Sequence, residues 1–343
     1  MSRVAATPSA IEDAAARIAA GGLVAFPTET VYGLGADATN PRAVARLFEA
    51  KARPVFDPII VHVASVEQAR TLWTSCPPAA EALMRAFWPG PLSLVLPKTP
   101  QVPDLVTAGL PMVAVRMPDH PVAARLIALS GRPVAAPSAN RFGGVSPTTA
   151  EAVDEELGEA VDCILDAGPT RVGIESTVVA FEGGRPVLLR PGGVPLEALT
   201  SIVGEVDIGA RRAGPSASPG MLERHYAPRT PLYLLAPTDA RAGHAPAGQP
   251  LAAQRIGVLS LTPQGLPCPV AAAEVLSVSG DLVEAAAGLF QALRRLDQRA
   301  LDAILAAPVP LQGLGRAIMD RLQRASQGHA WFSGGQLYAA PRP

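Results

Sequence analysis

Apolar and polar positions follow two rhythms along this chain, and each rhythm predicts a different kind of element. Short apolar runs rich in β-branched residues are typical of buried strands. Stretches with apolar residues three and four positions apart are typical of amphipathic helices. Over roughly the first 200 residues the two kinds follow each other in mixed order, which predicts an α/β domain with some antiparallel strand pairs. The predicted strands there are 23–26, 59–63, 91–97, 113–117, 134–136, 163–165, 176–181 and 187–190.

Capping residues mark where the helices begin. Ser9, with an acidic residue three positions later, predicts a capping box at the start of a helix over 9–20. Asn40, followed by a proline, predicts the start of a second helix that ends on Lys51 and Arg53. Further helices are predicted from residue 66 and over 120–130, 281–296 and 315–325.

A stretch rich in Gly, Pro and Ser at 209–231 separates this domain from a second, smaller set of strands and helices. The predicted domains are therefore 1–208 and 232–343, with 209–231 as the linker. Unusual residues for a passive tether are Met221, Arg224, His225 and Tyr226. We therefore predict that Arg224, His225 and Tyr226 act as a lid over bound nucleotide. The predicted strands of the second domain are 232–235, 256–261, 275–278 and 303–307.

Composition narrows the classes of function. Hydrophobic residues make up 48% and charged residues 17% of the 343 positions, so the chain can bury large cores. The formal net charge is −1, whereas a dedicated nucleic-acid binder usually carries a basic excess. Any anion binding is therefore expected to be local rather than spread over the surface.

Cysteine usage and the amino-terminal sequence predict a soluble cytoplasmic protein. The three cysteines are odd in number and widely spaced, which argues against a disulfide framework or a structural zinc site. The five histidines lack metal-binding spacing. Charged residues interrupt the amino-terminal alanines, so no signal peptide is predicted. No apolar run approaches the ~18 residues of a membrane span.

Candidate chemistry is concentrated after the first predicted strand. The polar loop Thr28–Thr30 follows that strand, and the cationic pair Lys51 and Arg53 follows the next helix. Arg116, flanked by apolar residues in its strand, must reach water or a partner, and Arg190 stands at the end of another strand. Cations and hydroxyls with little acid–base machinery suit phosphoryl or nucleotidyl transfer.

A glycine pattern in the same region offers a competing interpretation. Residues 33–38, GLGADA, fit the loose dinucleotide-binding pattern. That pattern requires the first glycine directly between a strand and a helix, whereas here six residues separate Phe26 from Gly33. We therefore predict that these glycines allow a tight turn under the loop rather than a cofactor site.

Taken together, the motifs FPTETVYGLG, KARP, IIVH, VAVRMPDHP, APSAN, SPT, ESTVV and LRPG resemble the YrdC/Sua5 family of L-threonylcarbamoyladenylate synthases. The later segment SPGMLERHYAP and the carboxyl-terminal region resemble the longer, two-domain Sua5 type. The resemblance implies a twisted open mixed sheet in the first domain and a small Rossmann-like α/β second domain. It also implies that the linker closes over the active site.

The resemblance carries site roles onto individual residues of this sequence. Lys51 and Arg53 correspond to the catalytic cations on the ATP phosphates. The residues implied to bind ATP are Lys51, Arg53, Asp57, Met112, Ser138, Asn140, Ser146, Arg190, His225 and Tyr226. The residues implied to bind L-threonine are Thr30, His62, Arg116, Ala136 and Ser176. Asp57 and Met112 depart from the usual family residues at their positions.

The implied reaction condenses L-threonine, bicarbonate or CO2, and ATP to threonylcarbamoyl-AMP and pyrophosphate. Mg²⁺ is expected to bind mainly through the ATP phosphates, with no protein side chain assigned to it. Family partners would then transfer the threonylcarbamoyl group to the adenosine beside the anticodon of certain tRNAs. No stable tRNA binding by this chain and no membrane partner are expected. The alternative is an RNA-binding module that uses the same cations, and its binding would fall steeply with salt.

Overall fold

A computed structural model describes residues 3–209, 225–236, 248–251, 254–263, 269–333 and 335–342. The chain divides into two compact units, one of Met1–Phe142 with Ser146–Leu222 and one of Gly143–Val145 with Glu223–Pro343. Within the described residues, the first unit carries an 11-stranded sheet and the second a 7-stranded sheet. Most of the predicted linker and lid, residues 210–224, lies outside the described residues.

The first sheet is mixed. Its strands follow the order β1-β8-β2-β3-β7-β4-β6-β5-β9-β10-β11. Pairs such as β4–β6 and β5–β9 are parallel, whereas β2–β3, β5–β6 and β9–β10 are antiparallel. The strand bounds are β1 Arg3–Ala5, β2 Val24–Pro27, β3 Tyr32–Asp37, β4 Val61–His62, β5 Leu92–Pro97, β6 Met112–Arg116, β7 Val134–Ala135, β8 Cys163–Asp166, β9 Thr177–Glu182, β10 Arg185–Arg190 and β11 Asp207–Ile208.

Helices cover both faces of this sheet. One core packs α2, α4 and α8 against one face of the sheet, and a second core packs α1 and α6 against the opposite face at β2, β7 and β8. The helix bounds are α1 Pro8–Ala19, α2 Pro41–Lys51, α3 Val66–Leu72, α4 Pro78–Phe87, α5 Asp104–Thr107, α6 Pro121–Ser130, α7 Ala150–Leu157 and α8 Leu196–Val203, with a short 3₁₀ helix at Gly158–Ala160.

Two predicted helix starts have different outcomes. Asn40 is confirmed as the N-cap of α2, where its side chain accepts hydrogen bonds from the amides of Arg42 and Ala43. The prediction of Ser9 as the N-cap of α1 is wrong, because the Thr7 side chain caps that helix by accepting from the amide of Ala10. The proline at position 8 occupies the first helical turn, where its missing N–H costs nothing.

The predicted glycine turn is also wrong. Gly33 and Gly35 lie inside β3, which pairs antiparallel with β2. A Cβ atom on Gly35 would lie 2.7 Å from the Phe26 ring and 2.9 Å from the Val134 side chain. The glycine therefore admits close packing in the middle of the sheet rather than a turn.

The second unit is a smaller α/β domain. Its strands follow the order β13-β18-β17-β12-β16-β14-β15. The five strands from β17 to β15 are parallel to one another, whereas β18 pairs antiparallel with β17. A strand was predicted at 275–278, but β15 ends at residue 275. The elements are β12 Leu232–Leu235, β13 Gln249–Pro250, β14 Ile256–Ser260, β15 Ala272–Val275, α9 Leu282–Asp297, β16 Ala303–Ala306, α10 Gly315–Ala325, β17 Gly328–Ser333 and β18 Gln336–Pro341. In the part of the chain that the structure describes, no helix has the length and apolarity to cross a membrane.

Candidate active site

Polar side chains form a row across three neighbouring strands of the first sheet. His62 on β4, Arg116 on β6 and Ser93 on β5 are register partners in turn. The Ser93 hydroxyl lies 2.8 Å from the hydroxyl of Ser176, which directly precedes β9. Side chains two positions apart on a strand share a face. The residues two positions from each member of this row are apolar and form a patch beside it on the same face. That patch consists of Ile60, Val95, Ala114 and Val178.

Arg116 is the centre of the predicted threonine pocket, and the chain itself holds its guanidinium. Its Nη2 forms an ion pair with Oε1 of Glu29 at 2.6 Å. Nη1 donates to Oγ1 of Thr30 at 2.9 Å, and Nε donates to the carbonyl of Gly90 at 3.2 Å. The sequence required water or a partner for this arginine, and the structure provides a partner, Glu29.

The loop after β2 is fixed from two sides. The Thr28 hydroxyl lies 2.8 Å from the hydroxyl of Thr30 and also bonds to the backbone of the turn. The amides of Val172 and Gly173 donate to the carbonyls of Glu29 and Thr30 at 2.7 and 3.1 Å. The hydrogen bonds of the Thr28 side chain form the turn, and the amides of Val172 and Gly173 fix its orientation. Glu29 and Thr30 are thereby both held against the same arginine.

His62 is a neutral member of the row. Burial and the neighbouring charge of Arg116 lower the pKa of His62 to about 3. Its ring packs edge-on against Phe26 with centroids 6.5 Å apart. Among the described residues, Nδ1 of His62 has no hydrogen-bond partner. The imidazole therefore offers a neutral nitrogen rather than a positive charge at physiological pH.

Lys51 lies at the other predicted subsite, among backbone carbonyls. Its Nζ donates to the carbonyl of Ser138 at 2.5 Å and also to the carbonyl of Asn140. The Ser138 hydroxyl in turn donates to the side-chain oxygen of Asn140 at 2.5 Å. Burial, followed by the charge of Arg53, lowers the pKa of Lys51 to about 7. The lysine therefore orders the Ser-Ala-Asn loop and keeps an unusually labile proton.

Arg53, Arg190 and Lys51 share one acidic neighbour, Asp57. Arg53 forms an ion pair with Asp57 at 2.8 Å and donates to the carbonyl of Pro58 at 2.8 Å. Burial raises the pKa of Asp57, against the opposing charges of Arg53, Arg190 and Lys51. The three predicted phosphate-binding cations are thus electrostatic neighbours of a single buried carboxylate.

Arg190 joins this cationic group to the threonine side. Its Nη2 donates to the carbonyl of Ser176 at 2.9 Å and lies 3.3 Å from the hydroxyl of the same serine. That hydroxyl contacts Ser93, the register partner of Arg116. A chain of short contacts therefore runs from one predicted subsite to the other.

The remaining predicted residues of the first unit lie around these two groups. The Ser146 hydroxyl donates to Oε1 of Glu175 at 2.5 Å. The Ala136 amide donates to the carbonyl of Ile60 at 3.0 Å, which fixes the segment after β7 beside β4. Met112 begins β6 and packs against the apolar patch that contains Ile60.

His225 and Tyr226 are both buried within the second unit. Their rings meet edge-on with centroids 4.1 Å apart, and Tyr226 stacks on Phe290 of α9. The Arg321 guanidinium lies 5.3 Å from the centre of the Tyr226 ring. The amide of His225 donates to the carbonyl of Arg324 at 3.2 Å. Their contact with a nucleotide stays a prediction.

Sequence reasoning assigned no role to three side chains that the structure places against predicted site residues. Glu29 contacts Arg116, Ser93 contacts Ser176, and Glu175 contacts Ser146. Glu29 and Glu175 directly precede Thr30 and Ser176, which were predicted to bind L-threonine. This adjacency in the sequence was the signal that could have identified them. Ser93 was identifiable only by the polar interruption it makes in an apolar strand.

Comparison with known proteins supplies an independent view of the same residues. Residues 16–192 match the Sua5/YciO/YrdC family, described as telomere recombination. Residues 194–327 match the threonylcarbamoyl-AMP synthase C-terminal domain. A threonylcarbamoyl-AMP synthase of Pyrococcus abyssi is 46% identical, and the match covers 92% of this chain and 94% of that protein. The chain belongs to the Sua5 family of threonylcarbamoyl-AMP synthases.

Further relatives agree over nearly the whole length. A threonylcarbamoyl-AMP synthase of Bacillus subtilis is 43% identical over 93% of each chain. A crystal structure of P. abyssi Sua5 complexed with L-threonine superimposes with a TM-score of 0.83 at 44% identity, covering 92% of this chain and 94% of that one. The predicted family, the α/β fold with two mixed sheets and the synthase activity are thereby confirmed.

Proposed function

We propose that this chain condenses L-threonine, bicarbonate or CO2, and ATP to threonylcarbamoyl-AMP and pyrophosphate, and that the product serves the modification of tRNA adenosine beside the anticodon. One observation carries the proposal for these residues. The buried cations around Asp57 are linked to the Arg116 pocket through Arg190 and Ser176. Two anion-binding centres joined in this way suit a reaction between an amino acid and a triphosphate.

On the threonine side, the substrate carboxylate pairs with Arg116. A charge-assisted pair with a guanidinium is stronger than a neutral hydrogen bond, which makes this the main anchor. Thr30 and Ser176 supply hydroxyls, His62 supplies a neutral imidazole, and Ala136 supplies backbone. The complex of P. abyssi Sua5 with L-threonine supports an amino-acid pocket in this fold.

On the nucleotide side, Lys51, Arg53 and Arg190 bind the ATP phosphates. These side chains are already gathered and buried, so once charged they stabilise the charge that develops on the departing pyrophosphate with little reorganisation. The other nucleotide contacts that we propose are made by Asp57, Met112, Ser138, Asn140, Ser146, His225 and Tyr226.

Mg²⁺ enters as part of the nucleotide substrate. Among the described residues, no group of three His, Cys, Asp or Glu side chains could hold a metal ion. We propose that the ion is carried by the ATP phosphates and water, which is the usual habit of Mg²⁺. When bound, the ion would neutralise phosphate charge.

With L-threonine and ATP held at these two subsites, the reaction proceeds in two steps. The neutral amine of L-threonine attacks CO2 and loses a proton to give a carbamate. A carbamate oxygen attacks the α-phosphorus, and the bond from that phosphorus to the pyrophosphate oxygen breaks. The chain's cations hold the phosphates in line and stabilise the leaving group.

The domain and partner predictions belong to the same proposal. Residues 1–208 form the catalytic domain, 209–231 form the linker and lid, and 232–343 form the carboxyl-terminal domain. Family partners consume the product, and the protein acts in the cytoplasm without stable tRNA binding. Membership of a synthase family favours this activity over the alternative of an RNA-binding module.

The proposal is tested by incubating purified protein with ATP, L-threonine and bicarbonate. We expect pyrophosphate release that depends on threonine and a product with the mass of threonylcarbamoyl-AMP. Arg53→Ala should reduce the rate strongly, whereas Arg46→Ala on α2, the helix that ends two residues before Arg53, serves as the matched control. Absence of threonine-dependent pyrophosphate would contradict the proposal. Tight RNA binding that weakens steeply with salt would support the module instead.

A further inference from the structure

We propose that Glu29 receives the α-ammonium group of the substrate, so that the Glu29–Arg116 pair recognises both charged ends of an α-amino acid. This inference rests on the proposed function, because it assumes that the amino acid's carboxylate reaches Arg116. Glu29 then determines specificity for a zwitterion rather than for any small carboxylate.

The Glu29 carboxylate has one oxygen without a hydrogen-bond donor among the described residues. Its side chain is 1% exposed, and Oε1 lies 2.6 Å from Nη2 of Arg116. Oε2 is buried as well, and among the described residues it accepts no hydrogen bond. A buried acceptor without a donor is costly, and in native proteins it calls for an explanation such as a ligand.

A purely structural carboxylate in the same domain looks different. Asp37 is also buried and lies near an arginine, Arg132, at 3.7 Å. Its Oδ1 accepts hydrogen bonds from the amide and the hydroxyl of Thr39 at 2.8 and 2.7 Å. The structural carboxylate is thus satisfied by the chain, whereas Glu29 retains an acceptor that a substrate donor can fill.

The charges of the substrate also call for a carboxylate beside Arg116. In an α-amino acid one carbon separates the carboxylate from the ammonium, so the ammonium must lie beside the partner of the carboxylate. Thr30 and Ser176 are uncharged, and His62, with its pKa lowered to about 3, is neutral. A desolvated ammonium needs a compensating negative charge, and Glu29 is the carboxylate that contacts Arg116.

Backbone hydrogen bonds fix Glu29 beside Arg116. The Glu29 carbonyl accepts from the amide of Val172, and the next residue, Thr30, also bonds to Arg116. The side chain therefore stays next to the guanidinium when a ligand enters. Rigid placement of both charges is what discrimination between similar small molecules requires.

The test compares binding of L-threonine with binding of 3-hydroxybutanoate, which is threonine without its amine, by titration calorimetry. We expect the wild type to prefer L-threonine by about 100-fold and Glu29→Gln to reduce that preference at least about tenfold, as for loss of a buried charge pair. Glu29→Asp, which keeps the charge, should retain most of it. Asp37→Asn, the matched control, should leave the preference unchanged.

Two results would overturn the inference. One is an unchanged preference in a folded Glu29→Gln variant. The other needs no variant: a wild type that binds both compounds equally well does not recognise the ammonium. Failure of the proposed function itself is distinguishable, because the wild type would then not bind L-threonine at all.

Discussion

The cationic side chains of the site already bond to polar groups of the chain itself in the absence of substrate. Backbone carbonyls hold Lys51, and carboxylates hold Arg53 and Arg116. Each substrate anion must therefore replace or join an existing partner. Separating a buried charge from its partner costs free energy. Substrate affinity should therefore depend on the protonation of these groups and on the charge of their partners.

Lys51 should take up a proton when ATP binds. Its pKa is lowered to about 7, so at pH 8 the lysine is mostly neutral, while the ATP phosphates are ionised. Phosphate contact restores the charge, and we expect uptake of nearly one proton at pH 8 and almost none at pH 6, with ATP affinity falling above pH 7. Calorimetry in buffers of different ionisation enthalpy measures this uptake. Equal uptake at pH 8 in wild type and Lys51→Met would contradict it.

The same pKa sets the sign of the lysine's effect on stability. In the unfolded chain Lys51 keeps its proton up to about pH 10.5, whereas in the folded chain it loses that proton near pH 7. Unfolding therefore takes up a proton between these values. The contribution of Lys51 to stability rises with pH through this window.

Asp57 should weaken ATP binding by repelling phosphate. Its carboxylate pairs with Arg53, and burial raises its pKa, so the negative charge sits in a poorly solvated place. We expect Asp57→Asn to tighten ATP binding by up to about tenfold, or ~1.4 kcal/mol, while lowering the melting temperature. Titration with ATP below that temperature measures the effect. Glu49→Gln, an exposed charge removal on the adjoining helix, is the control, and weaker binding by Asp57→Asn would contradict the argument.

At the scale of elements, local sequence signals predicted most helices and strands. Asn40 capped α2 as expected, and the apolar runs after it became β5 and β6. The Ser9 cap was a local miss, because Thr7 caps α1 instead. Another miss came where tertiary contacts outweighed local signals. Gly35 was expected in a turn, but its missing side chain makes room for Phe26 inside the sheet.

The assembly of the site was less predictable than its members. Motifs identified Thr30, Arg116 and Ser176, yet their mutual contacts depend on strand order, which periodicity does not encode. Arg116 on β6 meets Glu29 in the loop after β2, although three strands lie between β2 and β6 in the sheet. Polar residues whose only role is to contact another site residue, such as Ser93, therefore escaped sequence reasoning.

Gly192 follows β10 at a position where an added methyl group should disturb the site. A Cβ atom there would lie 2.3 Å from the carbonyl carbon of Ser176 and 2.4 Å from the carbonyl oxygen of Glu175, both backbone atoms. We expect Gly192→Ala to cost about 1–3 kcal/mol of stability and to weaken L-threonine binding by displacing Ser176. Denaturant unfolding and calorimetry measure the two effects.

A glycine without close neighbours provides the control. Gly288 lies within α9, and a Cβ atom there would meet nothing within 4 Å. Gly288→Ala should therefore stabilise the chain by about 0.5–1 kcal/mol, since alanine favours the helix. Equal effects of the two substitutions would contradict the crowding argument.

At the scale of the whole molecule, the chain consists of two compact units with separate sheets. The proposed threonine residues Thr30, His62, Arg116, Ala136 and Ser176 all belong to the first unit. His225 and Tyr226 belong to the second. The proposed division of labour therefore assigns the amino-acid pocket to one unit and part of the nucleotide contact to the other.

Truncation after residue 208 separates these two contributions. Each unit has its own sheet and buried core, so we expect fragment 1–208 to fold, with L-threonine affinity within about threefold of the full chain. ATP affinity should fall at least about tenfold if His225 and Tyr226 contact the nucleotide, and the full-length double variant His225→Ala with Tyr226→Ala should show the same loss. Calorimetry with each ligand measures both quantities. A fragment that binds ATP as tightly as the full chain would remove the lid from the mechanism, because the first unit would then make every contact that the nucleotide needs.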